Sequence, residues 1–282
     1  MHAASETLAL EKIEKRLKTG IIGRSSWSNE LWDSIDSTNN RAAQLAAEGA
    51  PEGVIVLARQ QTAGRGRLGR VWVSPADAGI YLSVLLRPAE LASTELGLIT
   101  LAVGVAVSSA IEQCAGVKVG LKWVNDLVFE GRKVGGILAE MPSVSNKDAA
   151  TKIRPVVVGI GLNLRLDESS LPPDLAGKIS SLEQMAGMPL DPNEVVAHLC
   201  AAIESIYAIL KAKQTDEIIA RWRARSVTLN QEVIATSGNT SMEGLAVDID
   251  NTGALIIKLS DGQLQKLHAG EISIRAKDGS YA

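Results

Sequence analysis

The chain has 282 residues, 46% of them hydrophobic and 22% charged, and it carries a formal net charge of −3. That length allows one large domain and a small one, and the composition is ordinary for a globular protein. The slight acidic excess excludes wholesale charge-driven binding to nucleic acid, while leaving room for a local basic site.

The segment up to about Lys18 places Leu8, Leu10, Ile13 and Leu17 at helical spacing and predicts one short helix. It is charged and amphipathic, lacks the apolar stretch of a secretory signal, and is too little for a helix-turn-helix module that would read DNA. LWDSIDSTNNRAAQLAAEGAPEG then reads as a short strand, a polar turn and an alanine-rich helix closed by Gly49 and Pro51. VIVLARQ and GIYLSVLLR predict strands on either side of a basic loop. From about Thr94 to Cys114 the pattern is long, apolar and helical. VKVGLKW, LVFE, RKVGGILAEM and RPVVVGIGLNL follow as short strands, with the tightest joint at Glu130-Gly131-Arg132.

Asn193 to about Arg225 reads as helices, with Val196, Leu199, Ala202, Ile203, Ile206 and Leu210 facing inward. Past Ser226, five short strands broken by Gly, Asn and Asp turns predict a small antiparallel barrel of about fifty residues. MPSVSNKDAATK and DESSLPPDLAGK read as surface loops. No run approaches the roughly 18 apolar residues of a membrane span. Cys114 and Cys200 read as core hydrophobes of a reducing compartment, and the histidines have no metal-ligand spacing, so no metal-binding residue is assigned and a cytoplasmic protein is expected.

The basic loop QQTAGRGRLGR alternates Arg65, Arg67 and Arg70 with Gly64, Gly66 and Gly69. Gly64-x-Gly66-x-x-Gly69 matches a dinucleotide fingerprint in form only. VWVSP follows where a helix must open, and no acidic ribose ligand stands about twenty residues on. No Gly-Lys-Ser/Thr makes it a P-loop. A solvated arginine-rich turn, touching RNA or nothing, remains one reading. The other is a loop that folds over phosphates or carboxylates, because glycines let backbone approach an anion while guanidinium forks close on it.

LKWVNDLVFEGRKVGGILAE places Lys122, Asn125 and Asp126 at the end of one strand and Lys133 on the next, with Gly135 and Gly136 suggesting close approach by a ligand. VVVGIGLNL ends an apolar strand with Gly159, Gly161 and Asn163. Each has a plain alternative: a turn with an indole in the core, or a strand bulge. Few aromatics flank the basic run, which opposes base stacking by an RNA binder.

Gly64-Arg65-Gly66-Arg67-Leu68-Gly69-Arg70, Lys122-Trp123-x-Asn125-Asp126, Arg132-Lys133-x-x-Gly136-Ile137-Leu138, Gly159-Ile160-Gly161-x-Asn163 and Ser37-Thr38-Asn39 together resemble the biotin protein ligases, in order and spacing, from about residue 30 to the end. The resemblance implies an α+β fold: a class II synthetase-like catalytic domain with a mixed sheet and flanking helices over residues 1–226, then an SH3-like β-barrel over 227–282. It departs from the family where Val124 stands in place of the common proline, and a β-branched residue there is expected to keep the run extended. Related lipoate and octanoate transferases lack the arginine–glycine loop, and a paralogue that binds without catalysis is disfavoured by the presence of Arg67, Asp126, Lys133 and Asn163.

The implied reaction joins the biotin carboxylate to the α-phosphate of MgATP, then passes biotin to a lysine of a biotin carboxyl carrier protein, such as that of acetyl-CoA carboxylase. The implied catalytic residues are Arg67, Lys133 and Asp126. Biotin is assigned to Ser37, Thr38, Asn39, Gln61, Gly64, Arg65, Arg67, Trp72, Lys133, Gly135 and Gly136. The nucleotide is assigned to Arg67, Arg70, Lys122, Asn125, Asn163, Trp222 and Arg275, with Trp222 packing on the base. ATP, Mg2+ and biotin are the small molecules, with no DNA or membrane partner and a monomer or homodimer as the assembly.

Overall fold

A strand with both faces covered reads as an unbroken apolar run, and GIYLSVLL and VVVGIGLN are such runs. In the computed structural model, which describes residues 6–88, 96–142, 154–166, 173, 175–238, 240–270 and 272–277, they are the central strands of a seven-stranded sheet. In chain order its strands are β1 (Glu30–Trp32), β2 (Ile55–Ala58), β3 (Gly79–Leu86), β4 (Gly120–Lys122), β5 (Asp126–Phe129), β6 (Arg132–Glu140) and β7 (Val156–Asn163). Their spatial order is β1-β2-β3-β7-β6-β5-β4, with β1–β2 parallel and the other pairs antiparallel. Hence the sheet is mixed.

The faces follow from the two-residue period of a strand. Ile80, Leu82 and Val84 of β3 and Val158, Ile160 and Leu162 of β7 join the main core with helices α3 (Leu96–Ala115) and α5 (Pro192–Lys211). Alternate residues face the other way. There Leu85 and Val157 pack under α2 (Thr38–Ala47) in a smaller cluster with Leu45 and Val56. Beyond that cluster the same face carries the small and polar residues of the site. The remaining helices are α1 (Leu10–Arg16), α4 (Leu182–Ala186) and α6 (Thr215–Arg223).

Two sequence readings need correction. Helix α3 is long and apolar enough to cross a membrane by length and composition, as is α5, so the expectation that no stretch qualifies does not hold. Their apolar surfaces are used internally: α3 buries residues on every side, between the sheet and α5. The second correction concerns LKWVND, which does not run on as one strand. Lys122 ends β4, the chain turns at Trp123–Val124, whose peptide is cis, and Asp126 opens β5. The β5–β6 joint is a two-residue hairpin with positive φ at both Glu130 (47°) and Gly131 (72°), the backbone that matches strand twist.

Strands β8 (Glu232–Ser237), β9 (Thr240–Ile249), β10 (Leu255–Lys258), β11 (Leu264–Leu267) and β12 (Ile272–Ala276) form a separate antiparallel sheet ordered β11-β10-β9-β8-β12. Trp123 links it to the large sheet: its backbone N–H donates to Thr228 Oγ1 and its indole to the carbonyl of Gly253, both at 2.9 Å. This second sheet therefore forms one edge of the site. Of the two stretches read as surface loops, most of 141–152 and about half of 167–178 lie outside the described residues.

Candidate active site

Sheet parity assembles the site. Asp126 pairs with Gly136, Gly136 with Gly161, and Gly79 with Asn163, which sets these residues on one face along with Ser83, Gly159 and Leu138. Lys122 pairs directly with Asp126 on the same face. At the register shift between Leu127 and Val128, Lys133 N–H donates to the carbonyl of Lys178, and Ser180 N–H returns a bond to the Lys133 carbonyl. A bulge of this kind re-aims a side chain.

Residues 60–74 form a narrow hairpin above that face. Gln61 bridges Ser74, Arg65 bridges Val71, and Trp72 N–H donates to Gly64 O at 2.9 Å. Its tip is a single 3-10 turn, Arg67–Gly69, with Leu68 at φ 58° and Gly69 at φ 70°. No helix opens after the glycines, in keeping with the rejection of a dinucleotide fingerprint. Gly64 closes the hairpin rather than meeting a ligand: a Cβ there would lie 2.4 Å from Trp72 O.

Between hairpin and sheet lies a cavity of about 640 Å³. Ser37, Thr38, Asn39 and Gln61 line one end; Asn163 and Arg275 also border it. Arg65, Arg67, Arg70, Trp72, Asn125, Asp126, Lys133 and Gly136 complete the set of predicted residues that the fold brings together. Asn39 and Gln61 are engaged in the wall itself. Gln61 Oε1 accepts the Thr38 N–H at the start of α2 (2.9 Å), and Asn39 Nδ2 donates to Glu140 Oε2 (2.8 Å).

Charge is concentrated here. Lys133 Nζ pairs with Asp126 Oδ1 at 2.6 Å and stands 5.2 Å from the centre of the Trp72 ring. Arg67 reaches across to the small sheet, donating to the carbonyls of Gly270 (2.8 Å) and Ile272 (3.2 Å), and also to Asn125 Oδ1 (3.3 Å). Burial draws its guanidinium below the usual value, with Asp126 opposing. Lys122 is only 6% exposed. Burial pulls its ammonium down to about 8; Asp126 resists, while Lys133, Arg275 and Arg70 add repulsion. A pocket with so many cations around so few carboxylates is suited to anions.

Besides Gly64, three predicted residues stand elsewhere. Trp222 is 1% exposed inside α6, so it belongs to the core and cannot pack on a base in this cavity. Gly135 faces the opposite side of β6 from Gly136; its missing Cβ makes room for Leu162 Cδ2, 2.5 Å away, not for a ligand. Lys122 is not part of the lining; it pairs across the strands with Asp126 and adds its charge to the field there. Gly161 and Gly159 do supply clearance: a Cβ would lie 2.6 Å from the Trp72 indole in one case and 2.2 Å from Asn39 Oδ1 in the other.

Sequence reasoning missed Ser83, Glu140 and Arg165. Ser83 bonds Asn39 and Thr38 from β3, and Arg165 lines the cavity while paired with Glu183 at 3.0 Å. Their parity was the available signal, since Glu140 follows Gly136 and Leu138 on one face, and Arg165 follows Asn163 by two.

Residues 9–163 match the family described as Biotin/lipoate A/B protein ligase, and 228–275 match the Biotin protein ligase C terminal domain. The chain belongs to this family, and within it to the biotin protein ligases. It is 35% identical over 245 residues to the biotin–[acetyl-CoA-carboxylase] ligase of Paracoccus denitrificans, covering 84% of this chain and 96% of that one. The bifunctional ligase/repressor BirA of Bacillus subtilis is 32% identical over 267 residues, covering 95% of this chain and 79% of the relative. A biotin protein ligase from Aquifex aeolicus, solved in complex with biotin and ATP, superposes with a TM-score of 0.76 at 28% identity, covering 89% of this chain and all of that one.

Proposed function

We propose that the protein is an ATP-dependent biotin ligase that activates biotin as biotinyl-5′-AMP and transfers it to a lysine of a biotin carboxyl carrier protein. The observation that carries this reading is the cation-walled cavity beneath the arginine hairpin, with the Lys133–Asp126 pair in it.

In the first step a carboxylate oxygen of biotin bonds to the α-phosphorus of ATP, and the bond to pyrophosphate breaks. Two anions have to meet, and a pair of unit charges at about 4 Å repel by roughly 4 kcal/mol at an effective dielectric near 20. Arg65, Arg67, Arg70 and Lys133 offset that repulsion and hold the reacting atoms in line. Lys133, a compact point charge, sits at the junction of carboxylate and phosphate, and Asp126 orients it. Ser37, Thr38, Asn39 and Gln61 form the wall for the ureido head, and Trp72 with Gly136 and Gly161 the floor beside its aliphatic chain. Asn163 and Arg275 take the nucleotide. Magnesium arrives with the triphosphate as part of that substrate.

In the second step the carrier amine attacks the acyl carbon, the acyl–phosphate bond breaks, AMP leaves and the amine gives up a proton. Asp126 is the carboxylate we assign to orient or deprotonate that amine. The hairpin keeps water from the mixed anhydride until then. A cytoplasmic setting, where carrier proteins are made, suits the two free cysteines. Incubation with biotin, MgATP and a carrier domain tests the proposal: biotin-dependent label on a single carrier lysine is expected, and no transfer under any biotin concentration would refute it.

A further inference from the structure

Glu140, the last residue of β6, receives no role in the reaction above, yet its carboxylate joins two parts of the site. Oε2 accepts Asn39 Nδ2 from the wall at 2.8 Å and Arg65 Nη2 from the hairpin at 2.5 Å. The connection continues inward through buried groups. Asn39 Oδ1 takes a bond from Ser83 Oγ at 2.6 Å, and Ser83 Oγ lies 2.8 Å from Thr38 Oγ1. Thr38 N–H donates to Gln61 Oε1 at the base of the same hairpin strand, and Gln61 Nε2 donates to Ser74 Oγ of the return strand at 3.0 Å. A chain of hydrogen bonds thus runs from Arg65 near the hairpin's tip to its base at Gln61 and Ser74, through the wall assigned to the biotin head. Thr38, Asn39 and Ser83 are 4%, 4% and 0% exposed, so their partners are not interchangeable with water. Gly159 is shaped to admit Asn39, whose Oδ1 would lie 2.2 Å from any Cβ there.

We propose that Glu140 is a positioning residue that tethers the arginine hairpin to the head wall, holding the hairpin shut over the activated intermediate. Arg65 is the movable partner, being on the hairpin and partly exposed; Asn39 is the fixed one. Seating of the biotin head against Asn39 fixes the carboxylate that Arg65 needs, so occupancy of the wall and closure of the hairpin reinforce each other. This inference rests on the biotin ligase reading.

The test compares wild type with Glu140→Ala and Glu140→Gln. Hydrogen exchange of residues 64–71 is followed with and without biotin alone, and loss of preformed biotinyl-adenylate is followed by rapid filtration. Glu140→Ala should shed the intermediate about fivefold faster and lose a similar share of the biotin-induced protection, as suits a half-exposed ion pair plus one buried bond. Glu140→Gln, which keeps an acceptor oxygen, should fall between, and in both the intermediate should be lost by a larger factor than the first pyrophosphate burst is slowed. Unchanged intermediate lifetime and unchanged protection would overturn the tether, and so would a parallel fall in burst rate and melting temperature, which marks a mere strand-end role. Failure of wild type to form adenylate would instead refute the ligase reading, and the exchange arm would still report on the tether.

Discussion

Lys133 Nζ lies 2.6 Å from Asp126 Oδ1, across the β5–β6 hairpin and below the arginine loop. Both side chains are about one-fifth exposed, so the pair is partly desolvated and directed into the cavity. A cation held this way needs no reorganisation when charge develops beside it. Replacing Lys133 with Ala should lower biotin-dependent pyrophosphate release by about 10²- to 10³-fold while leaving the circular dichroism spectrum intact. A wild-type rate in that variant would remove Lys133 from the chemistry.

Arg67 joins the hairpin tip to the carbonyls of Gly270 and Ile272. Its loss frees the tip from the small sheet. Arg67→Gly should therefore release biotinyl-adenylate about tenfold faster or more, since hydrogen bonds from a charged donor are worth roughly 1.5–3 kcal/mol. Bystander lysines would then be labelled in a mixed-protein assay. An intermediate off-rate equal to wild type would contradict the lid role.

Gly161 has no room for a side chain: the added Cβ would stand 2.6 Å from Trp72 Cε2 and Nε1. The Trp72 indole nitrogen is also buried without a hydrogen-bond partner among the described residues, so none of them gives the ring a polar anchor against displacement. Gly161→Ala should weaken biotin binding, measured by calorimetry, with a loss of about 1–3 kcal/mol as for other overpacked sites. Gly135→Ala, which meets Leu162 instead, should lower melting temperature more than ligand affinity.

Lys122 gives the pH prediction. Its ammonium is drawn from 10.5 down to about 8, burial being the main cause. The unfolded chain therefore binds more protons than the folded one between those values, and the slope of stability with pH is positive there. Below about 8 the fold bears the full cost of the buried charge, about 3 kcal/mol at most by the linkage relation, and the cost is relieved as pH rises toward 10.5. Urea unfolding of wild type and Lys122→Met should show the wild type gaining on the variant across that window. A constant difference between them would show that Lys122 does not titrate as described.

Much of the fold was legible because its elements obey simple periods. The apolar strands, the helices and the five strands of the small sheet follow from period-2 and period-3.6 patterns and from turn residues. Sheet order was not legible, since β7 pairs between β3 and β6 through contacts distant in sequence. Helix α4 is only five residues long, too short for a periodic signal, although its Ser181–Gln184 capping box was there to read. The site was visible through its arginines, Lys133, Asp126 and Asn163. The errors concern facing. Adjacent glycines in one strand cannot both look into a cavity, which separates Gly136 from Gly135. Trp222 was misplaced because a tryptophan's chemistry does not reveal whether its helix turns it toward a ligand or the core.

In the proposed reaction this cavity brings a biotin carboxylate and the α-phosphate of ATP together under Arg67 and Lys133. Biotin-dependent exchange of labelled pyrophosphate into ATP tests it most directly, because exchange requires reversible formation of the mixed anhydride and no carrier. Exchange is expected to need biotin and to fall by at least the factor given above when Lys133 is Ala. Exchange that proceeds equally without biotin, or that is absent from a folded wild-type protein supplied with biotin and MgATP, would contradict it.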